Sequence, residues 1–145
     1  DMRDSAALRV VESLLARGVR AIRAYDPLAV DEARRNWFNP DKNHLFERIS
    51  YHATAQEAIS GSDALYVSTD WEEFRGLART IQTTVTPPYL IMDGRRMIPD
   101  YDTLAAAGYE YLPVGGPLLR GREADGALGE NGHRMTSRPM PAHAL

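Results

Sequence analysis

The chain has 145 residues, of which 43% are hydrophobic and 26% charged, and its formal net charge is -3. These values are ordinary for one soluble domain, and the mild charge argues against nucleic-acid and anionic-membrane binding, because both need a concentrated basic surface. The sequence contains no cysteine, which excludes disulfides, a thiolate nucleophile and a Cys-based zinc site within it.

The first residues given do not show the pattern of a signal peptide. No apolar run approaches the ~20 residues that span a bilayer, and no apolar segment of a signal peptide follows Asp1. Together with the lack of cysteine, this predicts a cytoplasmic protein without a membrane partner. A first residue that is Asp rather than Met favours a fragment or a processed product.

The first predicted elements are a helix and a strand. Residues 5–17 place Leu8, Val11 and Leu15 on one face of a helix, which Gly18 can end. Residues 19–25 alternate apolar and polar side chains, as a strand does, and proline stops the strand after Asp26.

The rest of the first 116 residues continues this alternation. Residues 36–48 are predicted to be a polar loop, and Thr54 and Glu57 have the spacing of a capping box. Further helices are predicted over 29–35, 54–60, 71–80 and 99–107, and further strands over 49–52, 63–68, 89–92 and 109–114. From 117 to 145 the sequence is rich in Gly, Pro and charged residues without a period, which predicts a mobile tail.

Strands that alternate with helices predict an α/β domain over residues 1–116, with a Rossmann-like parallel sheet and helices on both faces. Such sheets bind ligands at the carboxyl ends of their strands. The pattern begins with a helix, whereas doubly wound domains begin with a strand. The first strand is therefore predicted to be missing, and its place would be the middle of the sheet.

Three segments are candidates for ligand contacts. Asp26 ends a strand, where an acid can bind ribose hydroxyls, although the absence of a Gly-x-Gly-x-x-Gly turn favours a role as a turn residue. Arg95 and Arg96 follow a buried strand, so a guanidinium there either grips a phosphate or carboxylate or is simply solvated. Arg3 precedes the first helix, where a cation opposes the helix dipole, which suggests a phosphate partner or, equally, a solvated side chain.

The remaining motifs give weaker indications of a binding or catalytic site. Trp71 and Phe74 share a helix face, which indicates packing, with Thr69 or Asp70 as the helix cap. The four histidines have no metal-ligand spacing, so no metal site is predicted, and no catalytic triad or carboxylate pair is recognisable.

A series of short motifs resembles the UDP-glucose 6-dehydrogenase family. In order, they are Asp1-Met2-Arg3-Asp4-Ser5, Tyr25-Asp26-Pro27, Gly61-Ser62-Asp63-Ala64-Leu65, Thr69-Asp70-Trp71-Glu72-Glu73-Phe74, Asp93-Gly94-Arg95-Arg96 and Gly108-Tyr109-Glu110-Tyr111. Sister GDP-mannose and N-acetylmannosamine-type enzymes share the Arg-x-Ser start but resemble the chain less around the tryptophan and the Asp-Gly-Arg motif.

The resemblance implies the C-terminal UDP-sugar-binding domain of an NAD-dependent enzyme of polysaccharide biosynthesis, which oxidises the C6 alcohol of UDP-glucose to UDP-glucuronate. It implies that Arg95 contacts the UDP-sugar and that Arg3 reaches NAD bound to an N-terminal domain, in a homo-oligomer. No catalytic residue falls in this chain, because the family's cysteine, its Gly-rich NAD turn and a strand ending in Phe-Lys-Pro lie outside it. The chain alone is therefore expected to be inactive.

The sequence also departs from the family pattern. The family's Thr-Glu-Trp is Thr69-Asp70-Trp71 here, and its closing Ile-Gly-Arg is Val114-Gly115-Gly116, so the resemblance does not imply a contact by that arginine. Two alternatives remain: a stand-alone UDP-sugar-binding or assembly module without catalysis, and a sister dehydrogenase acting on another UDP- or GDP-sugar.

Overall fold

The computed structural model describes residues 6–28 and 30–121, together with the backbone of 142–144. Helix α1, Ala6–Ala16, buries Ala7, Val11 and Leu15, which are four residues apart and so lie on one face. Gly18 follows at φ +98°, a left-handed conformation that costs glycine little, and it ends the helix as the sequence predicts.

The remaining elements follow in chain order. The helices are α2 (Val30–Glu32), continued by a π-helical turn (Ala33–Trp37), a 3-10 helix (His44–Arg48), α3 (Ala55–Ile59), a second 3-10 helix (Glu72–Gly76), α4 (Leu77–Thr84) and α5 (Tyr101–Ala106). The strands are β1 (Ala21–Ala24), β2 (Ile49–Tyr51), β3 (Ala64–Val67), β4 (Leu90–Asp93), β5 (Glu110–Pro113) and β6 (Ala142–Ala144). Of the described residues, none forms a helix long and apolar enough to cross a membrane.

All strands of the described residues join one sheet in the order β2-β1-β6-β3-β4-β5, and every adjacent pair is parallel. This confirms the predicted α/β class and parallel sheet. Helix α1 packs with the first 3-10 helix, whereas α3, α4 and α5 pack against one another in series. Right-handed crossovers in opposite directions along the sheet put these two groups on opposite faces.

Two separate hydrophobic clusters form the core. The first lies between α1, β1 and β2, and the second lies around β3, β4 and β5 under α3, α4 and α5. Ile22 is fully buried in the first, and Ile81, Ile91 and Leu104 are fully buried in the second. The two halves of the sheet therefore have different cores, and β6 lies between them.

The prediction of a polar loop over 36–48 is confirmed for residues 38–43 and wrong for the helical turns on either side of them. Phe38 and Phe46 are both buried, and their rings meet edge to face at a centroid distance of 5.5 Å. The π-helical turn and the first 3-10 helix deliver these two rings to the first cluster. The many polar residues between them lie outside, which is why composition alone suggested a loop.

The predicted helix caps have different outcomes. The Thr54 hydroxyl accepts from the Glu57 backbone N–H at 3.1 Å, which confirms it as the cap of α3. Neither Thr69 nor Asp70 caps the next helix, because the second 3-10 helix starts later, with Trp71 in the capping position and no side-chain hydrogen bond.

Two segments of the predicted tail over 117–145 are described, residues 117–121 and residues 142–144. Each of them contains residues that pair with the sheet. Leu119 forms an isolated antiparallel bridge with Tyr111 of β5 through two backbone hydrogen bonds of 2.9 and 2.7 Å. Strand β6 takes the central position in which the missing first strand is expected. The domain boundary after residue 116 stays a prediction.

Candidate functional site

The carboxyl edge of the sheet gathers the residues that follow the strands. Because all strands are parallel, the segments after β1, β3, β4 and β5 emerge at this one edge. They carry Asp26, Asp70, Arg95 and Arg96. Arg3 lies outside the described residues.

The buried carboxylate of Asp93 organises the loop after β4. Its side chain is fully buried, and Oδ1 accepts from the backbone N–H of Arg95 at 3.2 Å and of Met97 at 3.0 Å. Oδ2 accepts from the N–H of Ile98 at 3.0 Å and from the Tyr111 hydroxyl at 2.7 Å. These bonds compensate the loss of hydration of a buried carboxylate, so the loop has one well-defined shape.

The Tyr111 hydroxyl is the tertiary partner in this network. Burial raises the pKa of Tyr111 above its ordinary value, and the hydrogen-bonded Asp93 carboxylate raises that pKa further. Tyr111 therefore stays a neutral donor throughout the physiological range. Sequence reasoning singled out the Asp-Gly-Arg motif but missed this partner, because it lies on β5, 18 residues further on.

Gly94 is needed for the close approach of this loop to β3. Its backbone N–H donates to the Val67 carbonyl at 2.9 Å. An added Cβ would lie 2.9 Å from that carbonyl oxygen and 3.1 Å from the Tyr66 ring, too close for any other residue without a shift. Arg96 then adopts φ +51°, a left-handed conformation that is uncommon for a residue other than glycine.

Arg95 lies at the carboxyl edge with half of its side chain exposed, at 51%. Its Nη2 donates to Asp70 Oδ2 at 3.2 Å, which links the loop after β4 to the loop after β3. Within the described residues this is its one hydrogen-bonded side-chain contact, and about half of the side chain is exposed. A guanidinium that is oriented on one side and open on the other is suited to bind an anionic oxygen.

Arg96 points toward the outer edge of the sheet instead. Its Nε donates to the Val114 carbonyl at 3.0 Å. It borders an open cleft of about 290 Å³, whose wall includes the stacked rings of Tyr101 and Tyr111 at 5.1 Å. That volume is near the lower limit of small-molecule sites, which run from about 300 Å³ upward. The two adjacent arginines therefore serve different surfaces.

Asp26 closes the crevice between the loops after β1 and β3. Oδ1 accepts from the Leu28 N–H at 2.8 Å, which confirms the turn role, and Oδ2 accepts from the Trp71 indole N–H at 3.0 Å. The neighbouring Tyr25 hydroxyl lies 2.8 Å from a Glu73 carboxylate oxygen, and its ring meets Phe74 edge to face. Burial and this carboxylate raise the pKa of Tyr25 to about 12.

The closed crevice does not fit a dinucleotide. The cavity beside Asp26, which Ser68 and Thr69 also line, is about 50 Å³, whereas nucleotide-sized ligands need several hundred. The Asp26 carboxylate that would take ribose hydroxyls is already bonded to Trp71 and to the turn. No Gly-x-Gly-x-x-Gly turn occurs in the sequence to hold a pyrophosphate. The crevice that the described residues form beside Asp26 is thus too small for NAD.

Comparison with known proteins agrees with the motifs of the sequence. The model of the UDP binding domain of the UDP-glucose/GDP-mannose dehydrogenase family matches residues 1–100. The chain is 36% identical over 115 residues to UDP-glucose 6-dehydrogenase YwqF of Bacillus subtilis, an alignment that covers 79% of this chain and 24% of that protein.

Two further relatives are similar. UDP-glucose 6-dehydrogenase TuaD of Bacillus subtilis is 31% identical over 123 residues, covering 85% of this chain and 24% of the relative. UDP-glucose 6-dehydrogenase of Rhizobium meliloti is 34% identical over 118 residues, an alignment that covers 81% of this chain and 24% of that protein. The chain thus spans about a quarter of the length of these relatives. These matches confirm the resemblance: the chain belongs to the UDP-glucose/GDP-mannose dehydrogenase family and corresponds to its UDP binding domain.

Proposed function

We propose that the chain is the UDP-sugar-binding part of an NAD-dependent UDP-glucose 6-dehydrogenase, which oxidises the C6 alcohol of UDP-glucose to the carboxylate of UDP-glucuronate. The observation that carries the proposal is the match of residues 1–100 to the family's UDP binding domain. The names of the relatives support the choice of UDP-glucose among nucleotide sugars. In this proposal the chain closes the active-site cleft over the substrate.

Arg95 is the proposed contact to the UDP-sugar. The buried Asp93 carboxylate shapes the loop that carries Arg95, and Asp70 orients its guanidinium. A diphosphate presents anionic oxygens with a spacing that suits the planar guanidinium, and a preorganised donor loses little entropy when it binds. The ion pair with Asp70 is half-exposed, so it is weak enough for the guanidinium to adjust to a ligand.

The oxidation itself needs residues beyond this chain. The sequence contains no cysteine to form a covalent intermediate with the sugar carbon, and the closed crevice is unsuited to NAD. We therefore assign the nucleophile and NAD to an N-terminal domain of the same protein and expect the isolated chain to be inactive. Arg3 is proposed to reach that NAD, and the complete enzyme is proposed to be a cytoplasmic homo-oligomer of polysaccharide biosynthesis.

The experiment is a calorimetric titration of the 145-residue chain with UDP. Replacing Arg95 by Ala removes a charge-assisted hydrogen bond worth about 1.5–3 kcal/mol, so we expect the Kd for UDP to rise about 10- to 100-fold. The matched control is Arg17→Ala, because Arg17 is an exposed arginine that precedes β1 at the opposite edge of the sheet. Its Kd should stay within about twofold, since surface changes away from a site have small effects.

An unchanged Kd in Arg95→Ala would overturn the role of Arg95. The reaction is tested separately, by joining the chain to its catalytic part and following NADH formation with a panel of UDP- and GDP-sugars. Turnover of UDP-glucose supports the proposal. A preference for another sugar would make the protein a sister dehydrogenase, and UDP binding without any NADH formation would favour a binding module.

A further inference from the structure

Tyr66 lies on β3, but neither hydrophobic cluster accounts for its position. Its neighbours Leu65 and Val67 are buried in the second cluster. Because side chains alternate along a strand, Tyr66 lies on the opposite face of the sheet. It is half-buried and, among the described residues, belongs to neither cluster. Core packing therefore does not explain why a tyrosine stands here.

The Tyr66 ring lies against the backbone of Gly94, the first residue after β4. A Cβ added to Gly94 would be 3.1 Å from Cε1 and 3.1 Å from the hydroxyl oxygen of Tyr66. The hydroxyl end of the ring thus reaches the start of the loop that carries Arg95. A side chain at position 94 would push against this end of the ring, so the glycine helps to seat the hydroxyl beside the loop.

The charge of Arg95 acts on the Tyr66 hydroxyl. Burial raises the pKa of Tyr66, and the nearby guanidinium opposes this rise without cancelling it. The hydroxyl therefore keeps its proton at neutral pH and can donate a hydrogen bond. Asp70, which also follows β3, accepts from the Arg95 Nη2 at 3.2 Å. The guanidinium is thus held by Asp70 and lies within electrostatic range of Tyr66.

The Tyr66 hydroxyl is an unused donor. It forms no hydrogen bond with any described residue, and it is not one of the completely buried oxygens that lack a partner, so it keeps access to water. Other tyrosine hydroxyls of the chain are hydrogen-bonded within the fold, namely those of Tyr25, Tyr89, Tyr109 and Tyr111. A ligand at the carboxyl edge can therefore bind the Tyr66 hydroxyl without breaking a bond of the folded chain.

We propose that the Tyr66 hydroxyl and the Arg95 guanidinium donate together to the phosphate oxygens of the bound nucleotide. This donor pair rests on the proposed function, in which the carboxyl edge binds a UDP-sugar, and adds a neutral donor to the charged one. The guanidinium supplies charge and a planar fork, whereas the hydroxyl supplies one directional bond. A group that engages both must be an anion with at least two acceptor oxygens, which a phosphate is.

The first test replaces Tyr66 by Phe in the 145-residue chain and titrates it calorimetrically with UDP. The change removes the hydroxyl and keeps the ring that lies on Gly94. We expect the Kd for UDP to rise about 10-fold, because a hydrogen bond to a charged group is lost. An unchanged Kd in Tyr66→Phe, alongside a weakened Arg95→Ala, would overturn the role of Tyr66 and leave the proposed function standing.

The matched control is Tyr101→Phe. Tyr101 is 42% exposed and lines the outer cleft beside Arg96, away from Arg95. Its loss of a hydroxyl should leave the Kd for UDP within about twofold. The Tm of both phenylalanine variants should stay within about 3 °C of the unchanged chain, which separates loss of a ligand contact from loss of the fold.

A double-mutant cycle tests whether the two donors share one ligand group. In an Arg95→Ala background, Tyr66→Phe should raise the Kd for UDP by at most about twofold, because the phosphate is no longer held against the hydroxyl. A 10-fold loss in both backgrounds would mean that Tyr66 acts independently of Arg95, and the donor pair would be wrong.

A second ligand separates this inference from the proposed function. Failure of UDP to bind the unchanged chain would count against the proposed function, and inorganic pyrophosphate then becomes the probe of the two donors. Pyrophosphate binding that weakens in both Tyr66→Phe and Arg95→Ala supports the donor pair as an anion site. Pyrophosphate binding that is absent, or equal in all three proteins, would overturn it.

Discussion

Two aspartates close to the carboxyl ends of two strands of the same sheet have opposite uses. Asp93, the last residue of β4, is fully buried and accepts four hydrogen bonds, which fold a loop and present Arg95 at the edge of the sheet. Asp26, two residues beyond β1, is half-exposed and ties its own turn to Trp71. One aspartate builds a loop that is open to an anion, and the other closes the crevice where related folds bind dinucleotides. Position in the fold therefore does not decide what a strand-end carboxylate does; its burial and its partners do.

The largest expected effect comes from replacing Asp93 by Asn. The asparagine side chain has nearly the same volume as aspartate, but an NH2 group replaces one carboxylate oxygen. In the place of Oδ2, this donor group would meet the Ile98 N–H and the Tyr111 hydroxyl, which both donate to the carboxylate. We expect a loss of about 3 kcal/mol in the free energy of unfolding, measured by urea denaturation, because buried groups are left unpaired.

The control for Asp93→Asn is Asp41→Asn, the same chemical change at an exposed turn position between the π-helical turn and the first 3-10 helix. It should change the free energy of unfolding by less than about 0.5 kcal/mol. A loss of similar size in both variants would mean that the buried network contributes nothing beyond an ordinary surface carboxylate.

The fold was largely predictable because its signals are local. Each signal is formed by residues that are close together in the sequence. Examples are the apolar run of β3, the apolar run of β4 and the capping box that begins at Thr54. Strand β6 was not predictable, because Ala142–Ala144 has no strand pattern of its own and gains its place only by pairing with β1 and β3. The same limit explains the two phenylalanines, Phe38 and Phe46, that anchor a segment of polar composition.

The candidate site was predictable only in part, for the same reason. Arg95 follows a recognisable strand, so the strand-end rule found it. The partners that give the site its shape are distant in sequence: Asp70 lies 25 residues from Arg95, and Trp71 lies 45 residues from Asp26. Such pairings arise from the order of strands in the sheet, which a single sequence does not display.

A pH titration separates the buried tyrosine–carboxylate pair from the exposed one. Both Tyr111, bonded to Asp93, and Tyr25, bonded to Glu73, have a pKa raised above the ordinary value of about 10, to about 12 for Tyr25. A tyrosine whose folded pKa is raised contributes stability that is fully present below pH about 10 and is lost as the pH rises toward the folded pKa.

Tyr111→Phe should therefore show a shallower loss of stability above pH 10 than the unchanged chain, by about 1 kcal/mol per pH unit. Tyr25→Phe should change the slope less, because the Tyr25–Glu73 bond is exposed and solvent screens the carboxylate. Urea midpoints at a series of pH values between 8 and 11 measure both slopes. Slopes that are the same in all three proteins would remove the distinction between the pairs.

The smallest expected effect is the coupling between Asp26 and Trp71, measured with a double-mutant cycle of Asp26→Ala and Trp71→Phe. The cycle cancels the loss of the Leu28 turn bond and isolates the indole–carboxylate contact. We expect a coupling free energy of about 1 kcal/mol, since the bond involves a charge but is only partly buried.

The Kd for UDP should stay within about twofold in these variants, in contrast to Arg95→Ala. A large loss of UDP affinity in Asp26→Ala would mean that the loop after β1 binds the ligand as well, and the crevice would then have to open when UDP binds.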